Sequence, residues 1–367
     1  MNIGVPKEIK DQENRVALTP AGAAAALAAG HAVTIQAGAG LGSGYSDADY
    51  QAAGAVIGDA AACWNQELVV KIKEPLASEY GHLRNQMVFT YFHLAGVERR
   101  LTEVLLERGT TAIAYETLED AQGRLPLLAP MSAVAGDVAV FMGCYYLAQC
   151  HGGKGTLPGI VLGEHYGKVL IIGDGVVGRH AARTALGLGA QVVMAGRRLE
   201  RLPRLRAELG EQLGFIVSSP ENIARELLDA DLLIGAVLLP GAKAPHVVTE
   251  TMVRGMQPGS VLVDVSIDQG GCIATSRPTS HSQPVYEQYG VVHYCVTNMP
   301  GAYPRTATQV LTHATLPYLL QLAQHGLAAL TGDAGLLKAV NTHQGYLRNR
   351  TVAKALGMED SFRLLSV

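Results

Sequence analysis

The chain has 367 residues, 48% of them hydrophobic and 17% charged, a globular balance long enough for two domains. A net charge of −3 with no basic block, and aromatics at only 5%, argue against nucleic-acid binding. Five cysteines (Cys63, Cys144, Cys150, Cys272 and Cys295) lack paired CxxC spacing and read as reduced thiols, neither a zinc site nor a disulfide framework.

Ile3-Gly4-Val5 reads as the first strand. Thr19-Pro20 supplies an N-cap and a first-turn proline for an Ala-rich helix, and Gly30 is placed to stop it. Further strands are expected at 32–35, 68–72, 87–91 and 111–114, alternating with helical segments as in a largely parallel sheet. A long apolar helix over 132–149 would join two domains. A second alternating series follows at 169–172, 191–195, 232–236, 261–265 and 291–296, and a helix over 305–330 would return toward the first domain. The expected fold is α/β: two Rossmann-like doubly wound domains joined by long helices, with a cleft between them. The expected boundaries are 1–128 plus 305–367 for a substrate domain and 129–304 for a dinucleotide domain. Charge at Lys7 and Glu8 comes too early for a signal peptide. The most apolar stretch, near 316–327, is broken by Gln321, Gln324 and His325, so no membrane span and a cytoplasmic location are expected.

Gly173-Asp174-Gly175-Val176-Val177-Gly178 follows the strand over 168–172 and opens a helix. In this motif the first glycine makes the tight turn, the second admits a pyrophosphate to the backbone, and the third allows close helix–strand packing. The helix N-terminus then offers unpaired N–H groups to phosphate. A lone GxGxxG is a weak signal, but strand, glycines, helix and second strand occur here in order. The second strand ends in Ala195-Gly196-Arg197-Arg198, with no carboxylate to accept the ribose hydroxyls of NAD. A small residue followed by arginines suits a 2′-phosphate and leans toward NADP; the alternative is that both arginines are solvated residues at a helix start.

Ligands of open α/β sheets collect outside the carboxyl ends of strands. Arg15, Lys73 and His93 stand at or near such ends in the first series, and Asp268 stands after the strand over 261–265. Each also has a plain structural reading. Arg15 beside Glu13 fits a surface ion pair, Lys73 a solvated strand end, His93 a hydrogen-bonded core histidine, and Asp268 a turn former before Gly270-Gly271.

Together the segments change the balance. Glu13-Asn14-Arg15-Val16-Ala17-Leu18-Thr19-Pro20, Lys71-Ile72-Lys73-Glu74-Pro75, His93-Leu94-Ala95 and Leu127-Leu128-Ala129-Pro130-Met131-Ser132 resemble the alanine dehydrogenase family in order and spacing. So do Gly235-Ala236-Val237-Leu238-Leu239-Pro240-Gly241-Ala242-Lys243-Ala244-Pro245, Asp268-Gln269-Gly270-Gly271-Cys272 and Asn298-Met299-Pro300. The match runs from residue 1 to about 330.

The resemblance implies that Arg15 and Lys73 bind substrate and that His93 and Asp268 are catalytic. It implies nucleotide contacts from Ser132, Val176, Val177, Gly196, Arg201, Ser218, Val237, Leu238, Val265, Ser266, Ile267, Asp268, Arg277, Val296, Thr297, Asn298 and Met299, beside Gly173, Gly175, Gly178, Arg197 and Arg198, which the glycine motif and the strand end put forward on their own. Glu116 and His325 fall where some members hold magnesium, although one carboxylate and one imidazole make a sparse site for that ion. The family places an acid at position 196, and Gly196 departs from it, which puts strict NAD use in question. The implied activity is reversible NAD- or NADP-dependent oxidative deamination of L-alanine to pyruvate and ammonia, in a homohexamer. The alternatives are a related amino-acid or opine-type dehydrogenase, a transhydrogenase-like nucleotide-binding component, and a silent dinucleotide sensor.

Overall fold

The computed structural model describes residues 1–238 and 244–365. Residues 239–243 of the family-like segment lie outside the described residues, as do 366 and 367. The chain divides into two compact units, Met1–Met131 with Gly301–Val367, and Ser132–Pro300. Each is a doubly wound α/β unit built on one predominantly parallel sheet.

In the first unit the strand order is Tyr346–Leu347, Val340–His343, Thr111–Ala114, Met87–Thr90, Leu68–Val70, Asn2–Val5, Ala32–Gln36 and Val56–Gly58. Six strands are parallel, and each of the two C-terminal ones runs antiparallel to its inner neighbour in the sheet. The order reverses between Asn2–Val5 and Leu68–Val70, and a switch point of this kind opens a crevice at the strands' carboxyl ends. Ile3, Val5, Val69 and Val88 are fully buried, as continuous apolar strands covered on both faces should be.

In the second unit the order is Gly214–Val217, Gln191–Gly196, Lys168–Ile172, Leu232–Gly235, Val261–Asp264, Val291–Tyr294 and Val285–Gln288. Only the last is antiparallel to its neighbour. Here the reversal falls between Lys168–Ile172 and Leu232–Gly235, beside the glycine motif.

The sequence pattern missed Val56–Gly58, Gly214–Val217, Val285–Gln288, the hairpin of Gly159–Val161 with Glu164–Tyr166, and the C-terminal strand pair. The long helix is Ala129–Leu147 rather than 132–149, with a short 3-10 turn at Gln149–His151. The expected helix over 305–330 is Pro304–His325, ended by Gly326 in the left-handed region (φ 57°).

Among the described residues, Ala129–Leu147 is the helix long and apolar enough to cross a membrane by length and composition, in place of the stretch near 316–327. Half of it is buried inside the protein. Within the second unit a Cβ on Gly136 would meet the Val177 carbonyl at 2.4 Å, and one on Gly143 would meet Leu232 at 2.5 Å. The Asp137 carboxylate accepts from Thr184 at 2.6 Å. The small residues serve close packing against helix and sheet, as in an interior helix.

Candidate active site

Arg15 lies in the loop after Asn2–Val5 and is fully buried. Its Nε and Nη2 donate to Glu13 at 2.7 and 2.5 Å, and Nη1 points to the Met131 sulfur at 3.1 Å. Burial works against the charge, but Glu13 more than offsets it and holds the guanidinium above its ordinary range. The expected surface ion pair is therefore a buried, two-pronged one, which fixes the plane of the guanidinium.

Lys71 and Lys73 follow the strand Leu68–Val70 and part company. Lys71 is sealed between Glu8 and Glu79, at 3.1 and 2.9 Å. Lys73 is buried too, and its carbonyl accepts from the Thr90 hydroxyl at 3.0 Å.

His93 follows Met87–Thr90 in a left-handed backbone conformation, φ 47°, that costs a non-glycine residue about 1 kcal/mol or more. Its backbone N–H donates to Glu116 at 2.6 Å, and that of Phe92 donates to the same carboxylate at 3.2 Å. Its ring stacks parallel on Tyr91 at 5.4 Å, and the Tyr91 hydroxyl is anchored on the Leu127 carbonyl at 2.5 Å. Burial first, then the charges of Lys73 and Lys10, push the imidazole down to about 3. Burial raises the Glu116 carboxyl to about 7, with hydrogen bonds and Lys73 pulling the other way. Arg15, Lys73, Tyr91, His93 and Glu116 thus form one electrostatically linked group at the carboxyl edge of the first sheet.

His325 does not join it. It ends Pro304–His325 on the surface, and a Cβ on the next residue, Gly326, would lie 3.6 Å from the Met1 side chain, at the strands' amino ends. Glu116 follows Thr111–Ala114 at their carboxyl ends. Within one chain the two cannot ligate one ion, and the described residues hold no group of three or more His, Cys, Asp or Glu suited to a metal.

In the second unit the glycine motif has a form suited to a dinucleotide. Gly173 has φ 118°, and a Cβ there would meet the Ala236 carbonyl at 2.3 Å. A Cβ on Gly178 would meet the Gly173 carbonyl at 1.9 Å. At Gly175 nothing lies within 4 Å of the Cβ position, so that side of the loop is open. Gly175 caps Val176–Leu188 without a side-chain bond, leaving the first N–H groups of a 13-residue helix for an anion. These residues fit the group that the motif implies.

The other nucleotide candidates cluster at the carboxyl ends of neighbouring strands. Gly196, Arg197, Arg198 and Arg201 follow Gln191–Gly196, and the Ser218 N–H donates to the Gly196 carbonyl at 2.8 Å. Val237 and Leu238 follow Leu232–Gly235, and the Val237 N–H donates to the Ser266 hydroxyl at 3.0 Å. Val265, Ser266, Ile267 and Asp268 form a 3-10 turn after Val261–Asp264. Val296, Thr297, Asn298 and Met299 follow Val291–Tyr294, and the Asn298 N–H reaches the exposed Asp268 carboxylate at 3.3 Å. Ser132 lies on Ala129–Leu147, one turn before the Gly136 contact with Val177. Arg277 lies beside Cys295 at the end of Val291–Tyr294, its guanidinium stacked over Tyr286 at 4.0 Å.

Two residues not singled out from the sequence shape these loops. Asp264 is buried, which raises its carboxyl pKa, and it accepts from the N–H groups of Ser266, Cys272 and Ile273 at 3.0, 2.9 and 3.2 Å. It thereby ties down both ends of the turn that carries Asp268, and Gly270 and Gly271 (φ 91° and 80°) let the chain fold back over it. Asp174 bonds Arg201 at 2.8 Å and lies beside Gly196, whose Cβ position is also 2.5 Å from the Phe215 ring. An acid followed by a shared turn was the only sequence signal for Asp264, and Asp174 looks like any turn residue between glycines.

Models of the alanine dehydrogenase/PNT N-terminal and C-terminal domains match residues 4–135 and 139–350. The chain belongs to the alanine dehydrogenase/PNT family. An alanine dehydrogenase of Bacillus subtilis (strain 168) is 51% identical over 363 residues, 98% of this chain and 96% of its own. A solved L-alanine dehydrogenase superposes with a TM-score of 0.93 at 49% identity, covering 97% of this chain and 99% of the other. A solved transhydrogenase from Sinorhizobium meliloti has a TM-score of 0.80 at 25% identity, covering 95% and 99%. Membership of the alanine dehydrogenase/PNT family carries with it an NAD-type nucleotide and small-molecule substrates.

Proposed function

We propose that the chain is an alanine dehydrogenase: L-alanine, NAD(P)+ and water give pyruvate, ammonium, NAD(P)H and a proton, reversibly. The observation that supports it is the gathering of Arg15, Lys73 and His93 at the carboxyl ends of neighbouring strands in the first sheet, with burial and the nearby lysines keeping the imidazole neutral.

Arg15 holds the substrate carboxylate, because a guanidinium whose plane is fixed by Glu13 is ready to receive a second anion without reorganising. Lys73 polarises the nitrogen, and later the oxygen, on the reacting carbon. When bound, the nicotinamide supplies the acceptor for the hydride. A neutral His93 takes the proton that water loses as it adds to the imine, and returns one to the departing amine. Asp268, on the second unit, is proposed as the second proton-handling group. The cluster of strand ends in the second unit takes the nucleotide. NADP+ enters the test because Arg197 and Arg198 are exposed and carry no ion pair among the described residues. A cytoplasmic homohexamer, with 1–128 plus 305–367 for substrate and 129–304 for nucleotide, completes the proposal.

Steady-state assay with an amino-acid panel and both oxidised nucleotides tests the activity. Turnover with L-alanine well above that with lysine or other amino acids is expected. Nucleotide binding without alanine turnover would defeat the reading and favour a transhydrogenase-like component.

A further inference from the structure

The family's acid at position 196 is absent from the sequence but not from the space. The Oδ2 atom of Asp174 lies 3.2 Å from where a Cβ on Gly196 would begin. It therefore occupies the region into which an acidic side chain at the strand end would extend. The Phe215 ring lies 2.5 Å from the same Cβ position, so a side chain at 196 would displace it. Asp174 is mostly shielded, its side chain 13% exposed, and Arg201 Nη1 bonds it at 2.8 Å.

We propose that Asp174, reaching from the glycine loop to the end of Gln191–Gly196, supplies the carboxylate that selects NAD(H) over NADP(H). The inference rests on the reading that Gly173, Gly175 and Gly178 cradle a dinucleotide. In that fold the adenosine ribose lies over the end of the second strand, where a carboxylate accepts both hydroxyls and rejects a 2′-phosphate. A carboxylate carried on the loop faces the same ribose from the pyrophosphate side.

The arginines nearby argue the other way until their partners are counted. Arg201 is neutralised by Asp174, and a 2′-phosphate drawn to it would have to sit against that carboxylate, a like-charge contact that costs affinity. Arg197 and Arg198 are exposed and make no ion pair among the described residues that would hold them over the strand end. The sequence lean toward NADP holds only if Asp174 is ignored.

Fluorescence titration of the full chain with NADH and with NADPH tests this without turnover. The wild type should bind NADH at least about tenfold more tightly, and Asp174→Asn should shrink that ratio by at least about tenfold, the loss of a charge-assisted hydrogen bond. Arg201→Ala removes a cation but keeps the carboxylate, so its ratio should equal or exceed that of the wild type. A wild type that prefers NADPH, or an unchanged ratio in Asp174→Asn, overturns the proposal, as does a fall in Arg201→Ala to the level of Asp174→Asn. An Asp174-dependent ratio in a protein inert toward alanine would sink the proposed activity and leave this inference standing. Alanine turnover with an Asp174-independent ratio would do the reverse.

Discussion

The backbone N–H of His93 is bound by the Glu116 carboxylate at 2.6 Å, so a carboxyl that is half protonated near neutrality grips the residue carrying the imidazole. The folded carboxyl, at about 7, lies above its ordinary 4.5. The folded state therefore binds more protons between these values, and stability is lost as pH rises through about 7. Glu116→Gln removes that dependence. Urea unfolding at pH 5.5 and 8 should show the variant gaining roughly 2 kcal/mol relative to the wild type across the interval, on top of a constant loss of about 1 kcal/mol for the missing hydrogen bond. A difference that does not change with pH would refute the assignment.

The His93 imidazole has the opposite sign. Its folded pKa of about 3 lies below the ordinary 6.5, so the unfolded chain binds the extra proton and stability falls as pH drops through 6.5 toward 3. In the free protein labelled at histidine, the His93 ring should show no titration between pH 5.5 and 8. A midpoint near 6.5 in its NMR signals would contradict the desolvated site.

His93→Ala should lower kcat by about a hundredfold or more, the usual worth of a positioned acid–base group, while NADH binding stays near that of the wild type. Near-normal turnover would remove His93 from the chemistry.

Glu13→Gln leaves a buried guanidinium without its counter-charge. Breaking such a pair costs about 3–5 kcal/mol. The melting temperature should drop sharply and KM for alanine should rise, because the Arg15 plane is released. Arg15→Lys keeps the charge and loses the two-pronged bond, so KM should rise with a smaller loss of stability. Unchanged KM in both variants would place the substrate carboxylate elsewhere.

Asp264→Asn turns an acceptor of three N–H groups into a group with one acceptor oxygen and an NH2 facing donors. A loss of about 2–3 kcal/mol is expected, with weaker NADH binding through the loosened 265–273 loop. An unaffected Kd for NADH would make Asp264 a purely structural residue.

Legibility in the sequence followed local pattern. The strand Lys168–Ile172 and the helix after it were readable because three glycines, an apolar run and a helix stop at Gly189 agree. Val340–His343 was not, because three of its four buried residues are polar. Thr342 donates to Thr110 at 2.8 Å, Asn341 accepts from Thr117 at 3.2 Å, and His343 bonds Thr111 at 2.9 Å. Only the neighbouring strand, over two hundred positions earlier, makes them inward-facing. Arg15, Lys73 and His93 were legible as strand-end residues, but Glu13 as a buried clamp and Asp174 as a strand-end substitute are facts of three dimensions. The pairing of Glu116 with His325 failed for the same reason: nothing in the spacing says that they lie at opposite ends of the strands.

His93 sits in a backbone conformation that asparagine or glycine would adopt more readily, and its imidazole gives no charge in return at neutral pH. A library screened for heat resistance alone would therefore tend to drift away from histidine at this position and return robust, inert proteins. Only selection on turnover can keep the ring in place.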